Sequence, residues 1–387
     1  MKRTVIVIGA GAGKDFGMPT GEELVRQIAD QAEVAQTFHY EIREYYKIRG
    51  KIHGEGLEKS LLEEQFKKGK YKPYSDISKI VSYYQPFSID ELLDSIRQDK
   101  INISIEDAET TKEKLIEAGS IEDAETAKEK LIEAGKTLIA MFLLQAEDKK
   151  IFGNFEATCW YRHLRSAIIT SGKNDDEIAK QLKNMTIISF NYDRSLDYFL
   201  RTRLGKFYDK IKVIYPYGKL AGDWNEKSQD YSDISYGYFK KIGEADAKKR
   251  KEIFEAAEAI GKKGGKERLK IIGELDDSCE LKEIQKSITE AGNIYFLGFG
   301  FHQENCRILG VTTETKLTVR VEMPNEKGEA SAEPELRSVF YTNFGNSKKI
   351  KQKFEQFTNY NFTNCNPENF SDKGVYEALK SDFNLEL

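Results

Sequence analysis

Apolar residues in this chain follow two rhythms. Residues 4–9 form an unbroken β-branched run, the pattern of a strand buried on both faces of a parallel sheet, and a glycine-rich stretch follows at once. Thr20 can then cap a helix through Glu22, Glu23, Leu24, Val25 and Ile28, with carboxylates favoured in its first turn. Strand patterns resume at 185–190, 212–215 and 294–298, and more weakly at 316–322 and 338–341; a helix is expected over 347–357. Strands alternating with helices predict an α/β fold, a Rossmann-like doubly wound parallel sheet with large helical insertions.

From about 35 to 183 the pattern is charged and helical, with Ser88 placed to cap a helix opening Ile89-Asp90-Glu91. The expected organisation is a core from 1–34 and 184–387, with a charged insertion at about 222–270, and a helical insertion over 35–183. That insertion holds a tandem repeat, residues 105–120 and 121–136, differing only at Thr111/Ala127 and Ser120/Lys136. Ser104 and Ser120 stand at N-cap positions and Gly119 and Gly135 at helix-ending positions, so each copy reads as a short helix unless tertiary context fuses them. A duplication lengthening a solvated arm is favoured over a binding device; contacts between copies in an oligomer are the functional alternative.

Composition narrows the class. A chain of 387 residues with 32% charged and 39% hydrophobic positions suits a soluble globular protein of one or two domains. Sixty Lys and Arg against 64 Asp and Glu leave a net charge of −4, so no global field draws it to nucleic acid or anionic lipid. No apolar run approaches the roughly 18 residues of a membrane span. The apolar start is short, lacks a cleavage site and runs into Lys14 and Asp15, so a cytoplasmic protein is expected. Cys159, Cys279, Cys306 and Cys365 form no C-x-x-C pair, which argues for buried thiols and against zinc.

The loop after the first strand, Gly9-Ala10-Gly11-Ala12-Gly13-Lys14-Asp15-Phe16-Gly17-Met18-Pro19, admits three readings. A Walker loop fails because Asp15 follows Gly13-Lys14 and Ile8 stands where the first glycine belongs. The ordinary dinucleotide fingerprint fails because Lys14 occupies its sixth position. The eleven contiguous residues instead resemble the opening motif of the sirtuin family, with Gly13 where serine is usual and Thr20-Gly21-Glu22 after the proline in place of Asp-Phe-Arg. The resemblance implies NAD binding by this loop through Thr20. Glycines at 9 and 11 would let backbone N–H groups approach a pyrophosphate, and 17–19 would shape a flap over the ribose.

Three further segments carry the resemblance. Ser189-Phe190-Asn191-Tyr192-Asp193 is similar to the sirtuin Thr-Gln-Asn-x-Asp motif, which implies that Asn191 positions the ribose or a water and that Asp193 holds the nicotinamide carboxamide or organises the pocket. Read alone, Asn191 would merely cap the helix expected over 194–200. The segment Tyr215-Pro216-Tyr217-Gly218 resembles the one ending His-Gly-Ser, with Tyr217 in place of the catalytic histidine. Tyrosine is a poor base at neutral pH, which leaves three explanations: Tyr217 or Tyr215 acts by hydrogen bonding, one of His39, His53, His163 and His302 acts instead, or the site binds without turnover. Gly298-Phe299-Gly300-Phe301-His302 is similar to the late loop of bacterial sirtuin-like proteins that touches the adenosine half.

The organisation is most similar to bacterial sirtuin-like NAD glycohydrolases of antiphage defence. That implies cleavage of NAD to ADP-ribose and nicotinamide, with NAD as substrate, a homo-oligomer, and restraint by assembly or a partner. The alternative is a non-catalytic NAD or ADP-ribose sensor or scaffold for a HerA-like ATPase. An NAD-dependent protein deacylase ranks third, since the isolated cysteines cannot build the zinc module usual beside a peptide cleft.

Overall fold

The computed structural model describes residues 2–35, 38, 71–100, 121–153, 159–220, 222–239, 247–261, 269–274, 279–312, 320–321, 335–344, 347–357, 370–382 and 384–387. In chain order its α-helices of six residues or more are α1 (Gly21–Ala29), α2 (Lys72–Tyr84), α3 (Ile89–Arg97), α4 (Ile121–Ala146), α5 (Tyr161–Thr170), α6 (Asp175–Leu182), α7 (Ser195–Leu204), α8 (Ala247–Gly261), α9 (Cys279–Glu290), α10 (Gln303–Ile308), α11 (Lys348–Phe357) and α12 (Val375–Ser381). The chain forms two compact units. The first comprises Met1–Met18, Asp148–Tyr236 and Leu275–Leu387, the second Pro19–Glu147 and Gly237–Glu274.

The first unit is built on a parallel sheet of β1 (Thr4–Ile8), β2 (Met185–Ser189), β3 (Lys212–Ile214), β4 (Asn293–Leu297), β5 (Ser338–Thr342) and β6 (Phe370–Ser371). The order across it is β6-β5-β4-β1-β2-β3, with every neighbouring pair parallel. All five residues of β1 and of β4 are buried, as their unbroken apolar runs require in a sheet covered on both faces. This is the strand order of a Rossmann-like fold, and its direction of travel reverses between β1 and β4. The expected strand at 316–322 does not join the sheet: its described part, Arg320–Val321, pairs antiparallel with Glu335–Leu336 in a separate ribbon.

Helices α5 and α6 belong to this unit, although their sequence lies inside the 35–183 segment read as an insertion. Leu164 and Ile168 of α5 and Ile178 and Leu182 of α6 are buried. Asn174 caps α6 by accepting the Glu177 N–H at 3.0 Å. Beyond α12 the chain returns to the central strands. Thr4 Oγ1 donates to Glu386 O at 2.7 Å, Tyr295 Oη donates to Asn384 O, and Glu386 N donates to Tyr295 Oη.

The second unit is helical. Thr20 and Glu23 form a reciprocal capping box on α1, with Thr20 N to Glu23 Oε2 at 2.8 Å and Glu23 N to Thr20 Oγ1 at 3.3 Å. Ser88 caps α3 through the Asp90 N–H, as its position in the sequence predicts. The second repeat copy does not end at Gly135: α4 runs unbroken from Ile121 to Ala146, and Leu138–Leu144 is buried on every side. Gly135 is a contact surface, since a Cβ there would meet Leu93 Cδ2 at 2.5 Å. Ile132 and Ala134 are buried as well, so the end of this copy is core and not solvated arm. The first copy lies outside the described residues. None of the helices searched, among the described residues, is long and apolar enough to cross a membrane.

Candidate functional site

The four segments singled out in the sequence leave the carboxyl ends of four adjacent strands of the first unit. Gly9–Met18 follows β1, Phe190–Asp193 follows β2, Tyr215–Gly218 follows β3 and Gly298–His302 follows β4. The first and last meet at the reversal point of the sheet, where open α/β folds bind ligands.

Glycine makes that meeting possible. Gly9 N donates to Leu297 O and Gly11 N to Gly298 O, both at 3.0 Å. A Cβ on Gly9 would lie 2.6 Å from Gly298 O, and one on Gly298, whose φ is +59°, would lie 2.0 Å from Ala12 N. The glycines of the two loops interlock backbone to backbone. The N–H groups of Gly9 and Gly11 are therefore engaged by the neighbouring strand and are not presented to a phosphate, as the sequence suggested. Between them and Met18 the chain makes a tight helical turn, Ala10–Phe16, closed by Gly17 at φ 84°. Ala10 and Gly300 are exposed at the rim.

Aromatic packing supports this turn from below. Trp160 Nε1 donates to Ala12 O at 2.9 Å, and the Phe16 ring lies 5.0 Å from that of Tyr161. Asp15 points elsewhere: its Oδ2 accepts the Tyr376 N–H at 2.7 Å, close to the start of α12. Burial raises the Asp15 pKa, that hydrogen bond opposes the rise, and nearby Glu377 adds to it. Pro19 and Thr20 fall in the second unit, where Thr20 is the cap of α1.

At the end of β2, Asp193 is buried at 6% exposure, and its Oδ1 accepts the Ser195 N–H at 2.9 Å together with the Ser195 hydroxyl. The cap contact on α7 thus comes from Asp193, two residues ahead of the helix, and not from Asn191. Ser195 Oγ in turn lies 2.8 Å from Tyr161 Oη. Desolvation pushes the Asp193 pKa up, against hydrogen bonds from Ser195 and from the Asn191 side chain that favour the carboxylate. The buried Asn191 Oδ1 has no hydrogen-bond partner among the described residues, and neither has the buried Tyr215 hydroxyl. Burial raises the Tyr215 pKa well above the ordinary tyrosine range, followed by the effects of Asp197, Tyr208 and Asp193.

Tyr217 is buried at 3% exposure, packs edge-on to Phe190 with centroids 5.8 Å apart, and donates to Asn305 Oδ1 at 2.7 Å. Phe190 packs against Phe299 at 5.3 Å, so aromatic rings link the loops after β2, β3 and β4. Gly218 turns the chain at φ 74°, and Leu220 N then donates to Tyr192 O at 2.8 Å. His302 stands at the N-cap position of α10 and makes no side-chain cap. His163 packs on Tyr376, and burial lowers its pKa; His39 and His53 lie outside the described residues.

No family model matches the chain, and no curated protein does. The chemistry open to the site follows from its own groups: a buried amide oxygen at Asn191, a buried carboxylate beside it, and a wall of aromatic rings.

One charged centre escaped the sequence reading. Asp197, in the first turn of α7, is 2% exposed and accepts from Tyr208 at 2.7 Å, Tyr231 at 2.9 Å, Arg201 Nε at 3.0 Å and Lys219 Nζ. Burial alone would raise its pKa; Lys219, Tyr208 and Arg201 overcome that and hold it below the usual carboxylate range. Lys219 also lies 4.7 Å over the Tyr215 ring, so this centre fixes the loop after β3. Nothing in the spacing of Asp197, Tyr208, Lys219 and Tyr231 announces such a cluster. Ser195 was more legible, since Asp-x-Ser ahead of a helix is a common side-chain to backbone turn. Cys159 and Cys306 are buried thiols whose pKa values burial pushes to about 11 and about 12. Among the described residues no group of three His, Cys, Asp or Glu is arranged to hold a metal ion.

Proposed function

We propose that the sheet unit binds NAD across the carboxyl ends of β1, β2, β3 and β4 and hydrolyses it to ADP-ribose and nicotinamide. The observation that carries this reading is that four segments, drawn from positions 9 to 302, leave the carboxyl ends of four adjacent strands of one Rossmann-like sheet, the first and last of them meeting at its reversal point. Water forms the new bond to C1′ of the ribose as the bond to nicotinamide breaks; the bonding pair leaves on the nicotinamide nitrogen and the water proton passes to solvent. The transition state has oxocarbenium character, and oriented amide and carboxylate oxygens stabilise it. Asn191 Oδ1, buried and without a donor among the described residues, is suited to accept from the attacking water or a ribose hydroxyl. Such a reaction demands little of a base, which fits a tyrosine committed to Asn305. In the cell the reading is that of an NAD-depleting effector of antiphage defence, held in check by assembly or a partner.

The test is release of nicotinamide from NAD by the purified protein, alone and with the products of neighbouring genes. Activity lost in Asn191→Ala supports the reading. A protein that never consumes NAD, while Asn191→Ala still protects cells, overturns it.

A second reading has its own observation. The Tyr217 hydroxyl is already spent on Asn305, which favours a site that binds NAD or ADP-ribose as a sensor without turnover. Calorimetry separates the two: binding of either nucleotide with no nicotinamide released supports the sensor.

A further inference from the structure

The glycine turn Ala10–Phe16, α5 and α12 meet pairwise in the sheet unit. Trp160, just ahead of α5, donates to Ala12 O at 2.9 Å, and Phe16 packs on Tyr161 of α5. Tyr376 of α12 packs on His163 of α5, with ring centroids 5.2 Å apart. Asp15 closes the triangle, since its Oδ2 accepts the N–H of Tyr376, 361 positions away, at 2.7 Å. That N–H belongs to the first turn of α12, where donors have no partner within the helix and the N-cap side chain ordinarily takes one. On α1, Thr20 does so from a backbone at φ −70° and ψ 168°. Gly374 holds the same place on α12 with nearly the same backbone, φ −61° and ψ 164°, but has no side chain to offer. A Cβ there would press on Asp15 Oδ1 at 3.1 Å, so the carboxylate stands where a cap side chain would. Its charge also suits the positive end of a helix.

We propose that Asp15 is a positioning residue: by capping α12 from a distance, its carboxylate ties the glycine turn after β1 to the helix after β6 and holds the turn in its binding shape. That the turn meets a nucleotide rests on the reading above; the tie between turn and helix does not. Two amides report the state of the turn, Gly17 N bonded to Lys14 O at 3.2 Å and Met18 N bonded to Gly13 O at 3.1 Å. Ala378 N, bonded to Gly374 O at 2.9 Å, reports the first turn of α12. Gly374→Ser separates the two, because it gives α12 a cap of its own, as Thr20 gives α1, without joining the helix to the turn.

The experiment measures amide hydrogen exchange by NMR and ADP-ribose affinity by calorimetry in the full chain. In Asp15→Ala, protection of Ala378, Gly17 and Met18 and the affinity each fall about fivefold, the worth of one helix cap. Adding Gly374→Ser restores Ala378, while Gly17, Met18 and the affinity stay low. Asp15→Asn, which keeps an acceptor oxygen, returns the affinity to within about threefold of wild type. Protected amides in β1 and β4 establish that each variant is folded. If Asp15→Ala is not, Gly374→Ser alone decides: its hydroxyl displaces Asp15, so protection of the turn falls with α12 still capped. Turn amides that keep wild-type protection in Asp15→Ala, or recover it with the serine, overturn the proposal whatever the ligand. A loosened turn with unchanged affinity overturns the positioning role. Wild-type protein that binds no ADP-ribose overturns the nucleotide reading instead, and the exchange rates still decide the tie.

Discussion

Tyr217 donates its hydroxyl to Asn305 across 2.7 Å, joining the loop after β3 to the helix that follows β4. A residue standing where the sirtuin resemblance expects a histidine is thus a strut between a loop and a helix. Tyr217→Phe is expected to cost about 1 kcal/mol in urea unfolding, the worth of one hydrogen bond, and to leave nucleotide affinity and any turnover within about threefold. Loss of turnover by about a hundredfold with affinity intact would instead give the hydroxyl an acid–base role.

The interlock at the sheet reversal makes a paired prediction. Gly298→Ala drives a Cβ to 2.0 Å from Ala12 N at a positive φ, whereas one on Gly300 meets nothing within 4 Å. Gly298→Ala is expected to cost about 3 kcal/mol or more and abolish nucleotide binding, while Gly300→Ala stays within about 0.5 kcal/mol of wild type. Equal unfolding midpoints for the two variants would show that the loops are not so closely engaged.

Asp197 makes the sheet unit sensitive to acid. Its folded pKa lies below its unfolded value, so it contributes stability that is complete above the unfolded pKa near about 4 and lost as pH falls through the folded pKa. Asp197→Asn, which leaves Lys219 and Arg201 without their counter-charge, is expected to lower stability at neutral pH by about 3 kcal/mol and to flatten the decline below about pH 4. Melting curves from neutral pH into the acid range test this; an unchanged acid limb in the variant assigns that sensitivity elsewhere.

In the helical unit, Gly135 and Leu93 should show coupled energetics. Alanine is about 1 kcal/mol better than glycine inside a helix, yet a Cβ at 135 meets Leu93 Cδ2 at 2.5 Å. Gly135→Ala is expected to destabilise wild type and to stabilise a Leu93→Ala background, a coupling that a double-mutant cycle measures directly. Additive effects would mean that the Leu93 side chain simply moves aside.

The sheet was legible wherever its strands were wholly buried, because a continuous β-branched run such as Thr4–Ile8 has few other uses. Thr20 and Ser88 were legible as caps because an N-cap acts on backbone two or three residues away. Gly135 misled because a glycine at the end of a repeat looks like a stop signal, whereas tertiary contact with Leu93 makes it an interior position. Asn191 misled in the same way: the cap on α7 went to Asp193, which freed the Asn191 oxygen. The Asp197 centre was invisible because its partners come from α7, the turn after it, the loop after β3 and the antiparallel pair Trp224–Asn225 and Asp230–Tyr231. Such a cluster exists only once the chain has folded.

The bond from Thr4 to Glu386 draws together two residues 382 positions apart, at the amino end of the central strand. The loops of the proposed nucleotide site leave from the carboxyl ends of the same sheet. A fluorophore attached beside either residue would therefore report on folding from the edge of the sheet opposite those loops.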